Sequence, residues 1–171
     1  GNFYIDPIKP VNTAIITHGH ADHARWGMKH YIATPATCDI MQKRISPDIN
    51  CQELNFNKTL NIKDVEIRFI PAGHILGSAQ VVINDGKQKA IITGDFKTNP
   101  DPTVESFTTE QCDLLVTEST FALPIYDWID SKTIFESINK FWAENQKEGY
   151  HTILYAYSLG KAQRLLNGLN H

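Results

Sequence analysis

The run His18–His23, with the sequence HGHADH, constrains this chain more than any other segment, because it contains four side chains that bind metal ions. A short apolar run precedes it and is typical of a buried strand, so the four side chains follow the end of a strand. In extended backbone, residues two apart point the same way, and His18 and His20 can therefore bind one ion. Asp22 and His23 face another direction once the chain turns. One segment can thus provide ligands for two ions that lie close together.

Imidazole and carboxylate ligands together favour zinc, with manganese or iron as alternatives. The competing interpretation is a chance cluster of histidines on a solvated loop. A run of three histidines and one aspartate at these spacings is much more restrictive than a lone pair of histidines. We therefore interpret residues 18–23 as metal ligands.

Two further candidate ligands follow predicted strands. His74 lies between Gly73 and Gly77, and these glycines allow close approach of the backbone and unusual dihedral angles. Asp95 follows Gly94 directly after an apolar run. Alone, such a histidine is more often a packed loop residue, and such an aspartate is more often a turn or a cap. Their shared position at strand ends, together with residues 18–23, favours a metal site.

Hydrophobic periodicity predicts a strand-rich first part and a helix–strand–helix tail, with a boundary near residues 123–124. Strands are predicted over residues 3–5, 13–17, 31–33, 62–69, 79–83, 89–93, 114–117 and 152–156, and we expect the strand 114–117 to be buried. Helices are predicted from Pro35 to about Ile45 with Thr34 as the cap, from a cap at Asp130 or Ser131 to Gly149, and after a cap at Ser158. The polar stretch 94–111 is expected to be a long functional loop.

The composition describes an ordinary soluble globular protein, with 42% hydrophobic and 20% charged residues. No stretch approaches the length of apolar residues that a membrane span needs, so we expect no membrane partner. The three cysteines are odd in number and widely spaced, which predicts reduced thiols and a cytoplasmic location. The net charge of -3 is not typical of a nucleic-acid-binding protein, but two bound divalent cations would bring the protein near neutrality.

Several stretches match the sequence motifs of one family: residues 3–7, 18–25, 72–80, 94–96, 117–121 (TESTF), 123–126 and 157–164 (YSLGKAQR). With these motifs the chain resembles the metallo-β-lactamase superfamily, and within it the β-CASP branch of RNA 3'-end processing endonucleases and DNA repair nucleases. It resembles most closely the bacterial ligase-associated DNA exonucleases, also described as mRNA 3'-end processing factor-like proteins. The resemblance implies an α/β fold: part of the αββα sandwich over residues 1–123, then the start of a β-CASP domain over 124–171.

The resemblance also assigns roles to individual residues. It implies that one zinc ion is bound by His18, His20 and His74, that a second is bound by Asp22 and His23, and that Asp95 bridges both. Asp22 would also orient a hydroxide that bridges the two ions. Asp6 would steady the site as a carboxylate behind the ligands, and Glu118 would support a downstream histidine that protonates the leaving group. Without the resemblance, Asp6 is a strand-end cap and Glu118 a solvated strand end. Lys161 and Arg164 either contact phosphate or simply solubilise a helix.

Two histidines that follow the β-CASP domain in this family have no counterpart in these 171 residues. We therefore expect this chain to be about the first half of a larger protein. For the chain in isolation we predict a well-formed first metal site, a weak or empty second site, and weak or no activity.

These residues predict a zinc-dependent nuclease, with manganese possible, in which a metal-bridging hydroxide attacks a phosphodiester bond. The resemblance favours a DNA exonuclease in repair, with a DNA ligase or repair factors as partners. Three alternatives stay open. They are an RNA-processing β-CASP ribonuclease, a metallo-hydrolase of small thioesters, lactones or lactams, and a non-catalytic β-CASP scaffold.

Overall fold

Two β-sheets build the first part of the chain in the computed structural model, which describes residues 2–170. The first sheet is parallel, with the strand order β1 (Tyr4–Ile5), β2 (Ala14–Ile15), β3 (Tyr31–Ala33) and β4 (Cys51–Glu53). The second has the order β5 (Thr59–Ile62), β6 (Val65–Pro71), β7 (Ala79–Asn84), β8 (Lys89–Ile92) and β9 (Leu114–Val116). Its strands pair antiparallel except β8 and β9, which run parallel.

The sheets pack face to face because side chains alternate along each strand and the central strands of both sheets present an apolar face. Ile15 and Ile32 of the first sheet share a buried cluster with Ile67, Phe69 and Val81 of the second. On the opposite face of the first sheet, helix α1 (Pro35–Arg44) contributes a second buried cluster that includes Cys38 and Met41. These helix and sheet layers confirm the predicted α/β sandwich.

The beginning of α1 agrees with its sequence signals. The Thr34 side chain accepts a hydrogen bond from the Thr37 N–H, and Pro35 occupies the first helical position. The Thr34 hydroxyl also donates to the carbonyl of Gly77 at 2.6 Å. The helix cap is therefore joined to the loop that follows β6, which carries His74.

The chain divides into two compact units, Gly1–Glu118 and Ser119–His171. The second unit contains α2 (Ser131–Lys147), capped by Asp130 as predicted, and α3 (Lys161–Gly168). Within this unit the Asn139 amide donates to the Gly168 carbonyl at 2.9 Å. Among residues 2–170, no helix has both the length and the apolar character that a membrane crossing requires.

The single strand predicted over residues 62–69 is a hairpin of β5 and β6, and β4 was not among the predicted strands. Three further expectations about secondary structure are wrong. Residues 152–156 form no strand, because no described strand pairs with them and an apolar run alone does not make a sheet. Helix α3 begins after Gly160, whose φ is +91°, and not after Ser158. The third, the burial of 114–117, fails although β9 forms, because the side chains of Leu114–Val116 are 50–59% exposed on an edge strand.

The expectation of reduced thiols is also wrong for two of the three cysteines. Cys38 and Cys51 form a disulfide, with Cα atoms 6.0 Å apart, whereas Cys112 is free. Cys38 lies in the first turns of α1, and Cys51 begins β4, which pairs with β3 beneath that helix. The two cysteines are 13 positions apart in sequence, so their proximity is a product of tertiary folding.

Candidate metal centre

Three ligand-bearing loops converge because three strands end close together. Strands β6 and β8 both run antiparallel to β7, so the loops that carry His74 and Asp95 leave the second sheet at the same edge. The loop with His18 leaves β2 in the first sheet, and the Ala79 N–H donates to the Thr17 carbonyl at 2.8 Å. This bond joins the two sheets where the ligands begin.

Four predicted ligands form one cluster, which we call the four-ligand cluster: His18, His20, His74 and Asp95. One donor atom from each lies within 4.8 Å of all the others. His20 Nδ1 is 3.0 Å from His18 Nε2 and 3.2 Å from His74 Nε2, and Asp95 Oδ2 is 3.6 Å from His74 Nε2. Around a tetrahedral zinc ion with bonds of about 2.0–2.1 Å, neighbouring donors lie about 3.4 Å apart. The cluster therefore fits a zinc-sized ion.

A second, smaller group adjoins this cluster through Asp95. His23 Nε2 lies 3.3 Å from Asp95 Oδ1 and 3.8 Å from Asp22 Oδ2. Asp95 thus directs one carboxylate oxygen to the four-ligand cluster and the other to His23. The Asp22 side chain is 73% exposed and completes only a one-histidine, two-carboxylate set. This sparser set is why the weak second site stays our prediction.

Asp6 holds the second group from behind. Its Oδ1 accepts the Thr17 N–H at 2.9 Å, and its Oδ2 accepts the Thr17 hydroxyl at 2.6 Å and the His23 Nδ1–H at 2.7 Å. A histidine that donates from Nδ1 to a carboxylate keeps Nε2 for a metal and has its ring orientation fixed. Asp6 therefore turns the Nε2 of His23 toward Asp95.

Thr17 fixes the ring orientation of His18, through a contact that sequence reasoning missed. Because the only hydroxyl proton of Thr17 goes to Asp6, its oxygen must accept from His18 Nδ1–H, which lies 3.1 Å away. The Nε2 of His18 is then left for the four-ligand cluster. A hydroxyl residue directly before the first ligand was the available signal.

The electrostatics separate the histidines into two kinds. Burial and the neighbouring histidines lower the pKa of His18 to about 2, and burial lowers the pKa of His74, so both are neutral and ready to bind a metal. Burial also acts to lower the pKa of His23, but its hydrogen bonds with Asp6 and Asp95 outweigh it and raise the value to about 10. The hydrogen bond from His23 in turn lowers the pKa of Asp95 to about 2.

Several known proteins are similar to this chain in sequence. The chain is 29% identical over 169 residues to a probable DNA ligase from Opitutus terrae, covering 98% of this chain and 16% of that protein. It is 26% identical over 186 residues to an RNase J-like protein from Methanocaldococcus jannaschii, covering 95% of this chain and 44% of the relative. The chain thus spans less than half the length of these relatives. No protein-family model matches it.

The chain is also 30% identical over 122 residues to a probable RNase from Methanocaldococcus jannaschii, covering 68% of this chain and 28% of that protein. The chain belongs to the β-CASP branch of the metallo-β-lactamase superfamily. A protein of unknown function from Enterococcus faecalis V583 has a similar fold, with a TM-score of 0.57 and 14% identity over 77% of this chain and 39% of that one. This likeness concerns the fold alone.

Glu118, which distinguishes β-CASP proteins by sequence, lies beside the loop of Asp95. Its Oε1 accepts the Phe96 N–H at 2.9 Å, and its charge acts to raise the pKa of His74. Glu118 thus binds the backbone of the residue that directly follows Asp95. The other β-CASP residues, Lys161 and Arg164, belong to the second unit, where Lys161 Nζ lies 5.0 Å from the Tyr157 ring centroid and Arg164 contacts Ser131.

Arg44 is another residue that sequence reasoning missed in this β-CASP chain. From the last turn of α1, its Nε donates to the Gly19 carbonyl at 3.1 Å, and its guanidinium also donates to the Ala24 carbonyl. Arg44 thus ties down both ends of the ligand loop. An arginine at a helix end is usually solvated, so the sequence contained no signal for this role.

Proposed function

We propose that the intact protein is a metal-dependent nuclease that hydrolyses phosphodiester bonds, most readily those of DNA and from an end. The observation that carries the proposal is the convergence of three imidazoles and one carboxylate from three separate loops. Its β-CASP membership supports nucleic acid as the substrate, and its similarity to a probable DNA ligase supports a role in repair beside a ligase.

We propose zinc as the ion, with manganese as the alternative, and a second ion held by Asp22, His23 and Asp95. Bound ions of this kind acidify water and withdraw charge from a phosphoryl oxygen. The three-histidine, one-carboxylate donor set supports zinc, because imidazole suits zinc better than it suits manganese.

We assign the other steps of the reaction to individual residues of the chain. Thr17 and Asp6 orient the rings of His18 and His23 so that both Nε2 atoms face Asp95. Asp22, the most exposed of the acids, orients the attacking water and accepts its proton on a carboxylate oxygen. Glu118 fixes the backbone directly after Asp95 and supports the group that protonates the leaving oxygen.

RNA processing is the second candidate function. The similarity to an RNase J-like protein favours it, and the phosphodiester is the same in both nucleic acids. The distinction is therefore an outcome of the test below.

We further propose that residues 1–123 are the metallo-β-lactamase part and that residues 124–171 begin a β-CASP domain. The division into compact units after Glu118 supports a boundary in this region. The proposed location is the cytoplasm, a compartment in which a disulfide such as Cys38–Cys51 is rare.

The test is degradation of end-labelled single-stranded DNA, duplex DNA and matched RNA by the intact protein. His20→Ala removes a member of the four-ligand cluster, and His30→Ala is the matched control, because the His30 side chain lies outside it. DNA shortened from one end by the wild type and by His30→Ala, but not by His20→Ala, supports the proposal. Cleavage of RNA alone favours RNA processing, and no cleavage of either contradicts the proposal.

A further inference from the structure

We propose that Glu105 is a positioning residue that holds the His74 loop in place for metal binding. Its carboxylate oxygen Oε2 accepts the Gly77 N–H at 2.9 Å, across 28 residues of sequence. Glu105 is not a member of the four-ligand cluster, and it would act through the backbone of the His74 loop. The inference rests on the proposed metal-dependent function.

The peptide groups of Gly77 are held on both sides. Glu105 takes its N–H, and the Thr34 hydroxyl at the α1 cap donates to its carbonyl at 2.6 Å. Gly77 has a φ of +75°, and a Cβ there would lie only 2.8 Å from the Ala36 Cβ. The Gly77 backbone therefore packs tightly against α1. Glu105 binds the N–H of Gly77, whereas α1 and its cap contact the carbonyl side.

Displacement of Gly77 is transmitted to His74 through Ser78. The Ser78 hydroxyl oxygen accepts the His74 N–H at 3.0 Å and the Ile75 N–H at 3.2 Å, and Ser78 is 1% exposed. The Ser78 N–H returns a bond to the Ile75 carbonyl at 2.9 Å. These bonds make residues 74–78 one closed turn, so an anchor on Gly77 also fixes the backbone of the ligand.

Glu105 belongs to the loop 94–111, which begins at the ligand Asp95. Near its beginning this loop is also bound to the segment that leads to His74: the Lys97 N–H donates to the Ala72 carbonyl at 3.0 Å. The buried Gln80 amide donates to the Pro71 and Thr108 carbonyls at 3.0 and 2.7 Å. The two loops therefore move together, and Glu105 supplies the charged acceptor that fixes the separation of His74 from Asp95.

Glu110 is the matched control on the same loop. Its carboxylate forms two hydrogen bonds with Arg68 of β6, at 2.6 and 2.7 Å. This ion pair braces the loop against the sheet without contacting residues 72–78. A role of Glu105 in loop stability alone would make Glu105→Ala and Glu110→Ala equivalent.

The experiment titrates the metal-free protein with Co²⁺ and records its visible spectrum. Glu105→Ala is expected to weaken Co²⁺ affinity by about tenfold or more and to change the spectrum, since outer residues that orient ligands have effects of about 10–100-fold. Glu105→Gln, whose amide oxygen still accepts the Gly77 N–H, is expected to restore both. Glu110→Ala is expected to lower the Tm without changing Co²⁺ affinity.

Amide hydrogen exchange of Gly77 in the metal-free protein is the second readout. Exchange at Gly77 is expected to be faster in Glu105→Ala but unchanged in Glu110→Ala. If Glu105→Ala folds poorly, the milder variant Glu105→Asp replaces it and is also expected to exchange faster. Wild-type Co²⁺ affinity in Glu105→Ala, or an equal loss in Glu110→Ala, would overturn the proposal. A wild-type protein that binds no Co²⁺ would contradict the proposed function, while Gly77 exchange would still test the Glu105 contact.

Discussion

The Oδ2 atom of Asp6 lies 2.7 Å from the Nδ1 atom of His23, and the two residues are 17 positions apart in sequence. The carboxylate also accepts both the N–H and the hydroxyl of Thr17, the partner of His18. One side chain outside the proposed ligand set therefore orients two proposed ligands from different parts of the loop.

In the intact protein, replacement of Asp6 by alanine is predicted to weaken metal binding at His23 by about 10–100-fold, because the ring loses the partner that fixes its orientation. Competition titration with a zinc chelator measures the effect. Asp48→Ala, which removes an exposed acid elsewhere, is the control. Equal zinc affinity in the Asp6 variant and the wild type would show that the contact does not serve the metal.

Gly94→Ala is predicted to destabilise the protein by about 1–3 kcal/mol. Alanine at this position would have a strained left-handed backbone, and its Cβ would clash with a neighbouring side chain. Gly94 has a φ of +55°, and a Cβ there would lie 2.7 Å from the Cβ of Thr17. Gly86→Ala isolates the strain, because Gly86 has a φ of +81° and nothing within 4 Å of the added carbon. Urea unfolding should give a larger loss for Gly94→Ala. Equal losses would show that the approach to Thr17 is not tight.

Arg44→Met is predicted to lower the free energy of unfolding by about 1–3 kcal/mol, because two loop carbonyls lose a charged donor. Zinc affinity should fall as well, since the loop between those carbonyls carries His20. The adjacent substitution Lys43→Met, at an exposed position, is the control and should change neither quantity. Unfolding curves and zinc titrations of both variants decide the matter.

Acid pH is predicted to weaken the loop 94–111 through Asp101. Burial acts to raise the pKa of Asp101, but hydrogen bonds from Thr103 and Lys97 outweigh it and hold the pKa below its ordinary value of 3.8. A carboxyl with a lowered pKa in the folded state stabilises the protein above its unfolded pKa and loses that contribution as the pH falls through the folded value.

The variant Asp101→Asn tests this, because it no longer titrates. The free energy of unfolding of the wild type should fall more steeply than that of the variant as the pH is lowered from 5 toward 2, as measured by urea unfolding. Parallel curves for the two proteins would contradict the prediction.

The four-ligand cluster could be expected from sequence because its signals are local. Apolar runs mark the strands before His18, His74 and Asp95, and the parallel direction of β6 and β8 brings two of those strand ends to one edge. The start of α1 was similarly local, since a threonine cap and a proline at the first helical position act within a few residues.

The features that could not be predicted depend on tertiary contacts. Glu105 and Arg44 reach ligand loops 28 and 25 residues away, and neither residue type marks such a role in sequence. The Cys38–Cys51 disulfide likewise depends on how α1 lies over the first sheet. Residues 152–156 form no strand, and the side chains of β9 are exposed. An apolar run therefore specifies neither the strand that pairs with it nor the element that buries its side chains.

The central claim is that His18, His20, His74 and Asp95 form the metal centre, and counting tightly bound zinc per purified chain tests it most directly. We predict one tightly bound zinc ion in the wild type and in His30→Ala, and none in His74→Ala. The His74→Ala substitution removes one of the four donors of the cluster and leaves an incomplete set. A wild-type chain without zinc after exposure to it, or a His74→Ala chain that keeps its zinc, would contradict this claim.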